Sequence, residues 1–73
     1  MPVSQEIKEE REAIRLKPND AEAHFNLGFA LEHKGDRQSA LAEYRRTLEL
    51  QPENATAQAH LDNLLKQANG SPK

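Results

Sequence analysis

The chain has 73 residues, a formal net charge of −2, 30% charged side chains and no cysteine, which limits it to one small domain and excludes disulfides and thiolate metal sites as staples. No hydrophobic run approaches the roughly 18 residues of a membrane span and no apolar signal core stands at the start, so a soluble, cytoplasmic chain with no membrane partner is expected. The weakly acidic balance carries no basic stripe and no interleaved aromatics, which removes the usual footprint of a nucleic-acid binder.

In chain order, residues 1–4 read as a loose entry. Residues 5–17 then place Ile7 and Ile14 at helical spacing, with Ala13 and Leu16 beside them, and Pro18 ends this helix. Asn19 and Asp20 supply the next N-cap, with Glu22 placed to help a capping-box-like start, and a helix over 21–34 carries Ala23, Leu27, Ala30 and Leu31 on one face. Lys34-Gly35-Asp36 joins a glycine that accepts left-handed geometry to an aspartate that caps the following helix, so the turn is very short. Gly28, in mid-helix, costs about 1 kcal/mol relative to Ala, which implies that another helix backbone approaches it closely. The third helix, 37–50, carries Ala40, Leu41, Tyr44 and Leu48 and packs on the second as an antiparallel hairpin. Pro52 stops it, Glu53-Asn54 forms the corner, 55–68 makes a fourth helix, and 69–73 is a tail.

His24, Leu27, Gly28, Leu31, Ala40, Tyr44 and Pro52 together resemble the tetratricopeptide repeat signature, W-x2-L-G-x2-Y, then A-x3-F, then P. His24 stands where that family prefers Trp, Leu31 where it prefers Tyr, and Thr47 where a small Ala is usual. A shift of 34 residues lays Ile14 on Leu48, Leu16 on Leu50 and Lys17-Pro18 on Gln51-Pro52; the same shift lays Ala21, Ala23, Leu27 and Leu31 on Ala55, Ala57, Leu61 and Leu65. The resemblance therefore implies an all-α fold of antiparallel helix hairpins in a single domain: a half repeat (1–18), a full repeat (19–54), a capping helix (55–68) and the tail. Glu6 and Glu10, at the positions equivalent to Ala40 and Tyr44, expect water, and Asp62, at the position equivalent to Gly28, suits a terminal helix with a polar outer face.

No phosphate loop, nucleophile elbow or paired nucleophile and base is present, so no catalytic residue, cofactor or enzyme activity is expected. His24, His33 and His60 have no metal-ligand spacing and no Cys or converging carboxylate to complete a set, so no metal is expected either, and His24 reads as a half-buried ring in the inter-helix seam. The alternating charges of 6–15 read as a solvated helix face.

Phe25 and Phe29 lie four apart on a face rotated from the Leu27 and Leu31 seam. In the tetratricopeptide family this face lines a concave groove that receives extended peptides. The resemblance thus implies a groove between helices two and four, with Phe25, Asn26, Phe29 and His33 opposite Thr56, His60 and Asn63 as the partner-binding residues. Some family members grip a C-terminal carboxylate with Lys, Asn and Arg; here only Asn26 matches, and Thr56 and His60 replace the Lys and Arg, which disfavours that mechanism. The function expected is a protein-binding scaffold module for a peptide or partner surface. The alternative is a structural self-assembly unit in which Phe25, Phe29 and Leu64 of the fourth helix close a two-fold homodimer through this same face with no external ligand; a further reading packs both rings within the fold.

Overall fold

The computed structural model describes residues 3–69, which form four α-helices: α1 (Val3–Leu16), α2 (Ala21–Lys34), α3 (Arg37–Leu50) and α4 (Ala55–Asn69). The middle two have the expected bounds. The first begins two residues earlier than expected and ends one earlier, and the fourth runs one residue further, so the tail expected at 69–73 has Asn69 in the helix and otherwise lies outside the described residues. Of the loose entry expected at 1–4, Met1 and Pro2 are also outside them.

Local chemistry sets each boundary. The Asp20 carboxylate accepts from the backbone N–H groups of Glu22 (3.1 Å) and Ala23 (3.3 Å) and so caps α2. The reciprocal half of a capping box is absent among the described residues. At the other end Gly35 takes φ 96°, its N–H donating to Glu32 O at 3.0 Å, while Asp36 N–H donates to Leu31 O at 2.9 Å. This pair closes α2 as a Schellman motif. The Asp36 side chain then accepts from Ser39 N–H at 3.2 Å, so one residue closes α2 and opens α3. Asn54 repeats the device for α4, accepting from Ala57 N–H at 3.0 Å.

Each helix packs on the next in the chain, α1 on α2, α2 on α3 and α3 on α4. The backbone spans 42 × 30 × 15 Å, thin enough that α2 keeps one face at the surface while the other is covered. The core joins Ile7, Leu27, Ala30, Leu31, Ala40, Tyr44, Leu61 and Leu64, with Ile14, Phe25, Leu41, Leu48 and Leu65 against it. Leu64 is completely buried, which corrects the expectation that it remains free for a dimer contact. Its 34-residue equivalent is Ala30, already a core position. Leu16, expected beside the α1 stripe, is 66% exposed.

Gly28 is the closest point of the hairpin, but a side chain makes the approach. A Cβ built there would stand 2.8 Å from Tyr44 Cε1 and 3.3 Å from Glu43 Cβ, so the expected approach of a helix backbone is corrected to that of the Tyr44 ring. Thr47, in place of the small residue usual in this pattern, is also fully buried and donates its hydroxyl to Glu43 O at 2.9 Å, which satisfies the oxygen without a partner from another helix.

Candidate functional site

The surface of α2 turned away from the Leu27 and Leu31 seam presents Phe25, Asn26, Phe29 and His33. These four do not share one environment. Phe25 is half-buried and packs on the core, with ring centroids 5.5 Å from Tyr44 and 5.4 Å from His60. Phe29 is 43% exposed, flanked by the His33 ring at 4.3 Å, by His60 at 5.8 Å and by Phe25 at 6.4 Å. A continuous aromatic cluster thus runs from the buried Tyr44 ring to the exposed Phe29 ring, and His60 is how α4 joins it.

The polar groups of this cluster are bonded within the protein. Tyr44 donates its hydroxyl to Glu32 Oε1 at 2.7 Å, and the same oxygen lies 3.4 Å from His60 Nδ1. Burial, and then the Glu32 carboxylate, push the Tyr44 hydroxyl far above its ordinary range, so it stays a neutral donor. His33 Nδ1 lies 3.0 Å from Phe29 O. Thr56 and Asn63, the other two positions on α4, are exposed, and no hydrogen bond joins them to the cluster among the described residues.

Asn26 and the outer face of Phe29 instead open on α1. With Ala30, Glu6 and Glu10 they line a cleft of about 270 Å³. The two carboxylates were legible only as a solvated face. Glu6 is exposed, but Glu10 is half-buried, and its carboxyl is raised first by that burial and then by the charges of Glu9, Asp20, Glu22 and Glu6. The 34-residue register that marked Glu6 and Glu10 as expecting water also makes Glu10 and Asn26 the equivalents of Tyr44 and His60, whose rings pack 5.4 Å apart. Where the complete repeat has a tyrosine ring, α1 offers a shorter acid, and an opening remains.

His24, expected as a half-buried ring in the seam, is buried. Its Nδ1 lies 2.7 Å from Glu43 Oε1 and its Nε2 2.8 Å from Pro18 O. Both partners are acceptors, so the ring donates to whichever faces its N–H, and to both only as the imidazolium. It ties α2 to α3 and to the turn before α2. Among the described residues no group of three or more His, Asp or Glu side chains is placed to hold a metal ion, and no described helix is long and apolar enough to cross a membrane.

Helices of near-equal length, each packed on its neighbour and repeating at 34 residues, define a helical-hairpin repeat. Residues 21–54 match the tetratricopeptide repeat family, and this stretch, α2 and α3, is one complete repeat of that family. It is similar to protein O-mannosyl-transferase TMTC2 of Homo sapiens, 42% identical over 52 residues that make up 71% of this chain and 6% of that protein. It is also similar to cellulose synthase operon protein C of Escherichia coli K12, 41% identical over 49 residues, 67% of this chain and 4% of that one. The chain thus spans less than a tenth of the length of either relative, and the likeness reaches only as far as the repeat. Repeats of this family generally mediate protein–protein interaction and are not themselves catalytic.

Proposed function

We propose that the chain is a protein-interaction module that binds an extended peptide or a partner surface across the exposed face of α2, flanked by α1 and α4. The observation that carries this reading is Phe29. It stays 43% exposed although Phe25 and Tyr44, within ring-packing reach of the same cluster, are drawn toward the core. A large apolar ring stacked among its neighbours at the surface gives a partner apolar contact. The neighbouring Asn26, His33, His60, Asn63 and Thr56 supply the polar rim.

A homodimer through the same face has less to recommend it. Leu64 is buried, which leaves Phe29 and the distant Leu16 as the exposed large apolar side chains among the described residues, a small area for a stable two-fold contact. The two readings separate on one pair of measurements. Phe29→Ala should weaken binding of a selected peptide about tenfold or more with helicity unchanged, while the sedimentation mass should remain that of one 8.2 kDa chain up to high micromolar concentration. A mass of two chains that Phe29→Ala returns to one would establish the dimer instead.

A further inference from the structure

We propose that the cleft between α1 and α2 receives a lysine or arginine side chain of the bound peptide, its stem lying on Phe29 and Ala30 and its cationic head between Glu6 and Glu10. This rests on the reading of the α2 face as a peptide site and adds the chemistry of the occupant. At about 270 Å³ the cleft lies below the roughly 300–1,000 Å³ of pockets that enclose drug-sized ligands, and suits one long side chain. Its apolar lining is the buried Ala30 and the exposed Phe29 ring. Its rim carries two carboxylates and one neutral amide. That combination matches the two ends of a long basic side chain, an apolar stem and a charged tip, and an aromatic wall adds cation–π attraction for a guanidinium.

Charge complementarity selects the occupant. Among the described residues Arg15 pairs with Glu12 and Arg46 with Glu49, while the rings of His24 and His60 lie against Glu43 and Glu32; none of these contacts uses Glu6, Glu10 or Glu22. The charges that raise the Glu10 carboxyl are those of Glu9, Asp20, Glu22 and Glu6. The cleft therefore attracts cations, and a cationic head would relieve repulsion already present in the free protein. An acidic peptide would add to that repulsion.

The test uses the full chain and a phage-displayed library of random dodecapeptides, followed by fluorescence anisotropy with the enriched sequences. Enrichment of Lys and Arg and depletion of Asp and Glu are expected. Binding should fall about tenfold in Glu10→Gln and further in Glu6→Gln/Glu10→Gln, with unchanged circular dichroism and a weaker dependence on salt. Enriched peptides that are neutral or acidic, lose affinity in Phe29→Ala and ignore Glu10→Gln would overturn the cationic occupant and leave the peptide site standing. Absence of enrichment, or peptides indifferent to Phe29→Ala, would overturn both.

Discussion

The edge of the Tyr44 ring occupies the space that a side chain at Gly28 would need: an added Cβ would lie 2.8 Å from Cε1 and 3.0 Å from Cδ1. Tyr44 is itself fully buried and held by its hydroxyl on Glu32, so the ring has nowhere to go. Gly28→Ala should therefore lower stability by up to about 2 kcal/mol, the net of an overpacking cost of about 1–3 kcal/mol and a gain of about 1 kcal/mol in helix propensity. Asp62→Ala, one repeat along and exposed, should be neutral or slightly stabilising. Urea unfolding of the two variants checks the contrast, and a stabilised Gly28→Ala would show that the ring yields.

Removing the Tyr44 hydroxyl separates its hydrogen bond from its packing. Tyr44→Phe should cost about 1 kcal/mol. Tyr44→Ala should cost about 3–5 kcal/mol, enough to unfold a chain of this size at room temperature. Circular dichroism melts distinguish them; equal effects would mean that the bond to Glu32, and not the ring, carries the stability.

His24 and Glu43 are 19 residues apart and 2.7 Å from each other. Each single variant, His24→Leu and Glu43→Leu, removes one partner of this part-buried bond and should lose about 1–3 kcal/mol. The double variant should lose less than the sum, and a coupling energy of zero in that cycle would remove the bond from the account of the seam.

Two carboxyl groups give stability opposite dependences on pH. Glu10 is raised above its ordinary 4.5 in the folded protein, so the folded state holds the proton more tightly than the unfolded chain, and stability falls as pH rises from 4.5 through the folded value. Asp36 is lowered below its ordinary 3.8, first by the backbone N–H of Ser39. Its contribution is complete above 3.8 and is lost as pH falls through the folded value. Relative to the parent chain, Glu10→Gln should thus gain stability between pH 4.5 and 7, and Asp36→Asn should flatten the loss below 3.8. Urea midpoints measured across that range give both slopes.

Leu64→Ala should cost about 2–5 kcal/mol, as expected for a leucine lost from a packed core. Phe29→Ala should cost much less. Thermal melts rank them directly, and the opposite order would place the Phe29 ring in the core.

The helices, their caps and the hairpin turn were legible in the amino-acid order because the forces that set them act within four residues. Asp20, Gly35 and Asp36 bond to backbone groups one turn away, as does Asn54, whose place in the sequence marks only a corner, and the 3.6-residue period of Leu27, Ala30 and Leu31 marks the face to be covered. What that order left open depends on distances across helices. His24 meeting both Glu43 and Pro18, the Tyr44 ring rather than a backbone filling the space at Gly28, Leu64 going inward, and Asn26 lining one cleft with Glu10 all follow from how one helix crosses the next. That crossing is chosen by the collective fit of many side chains, and only the folded chain brings those side chains together.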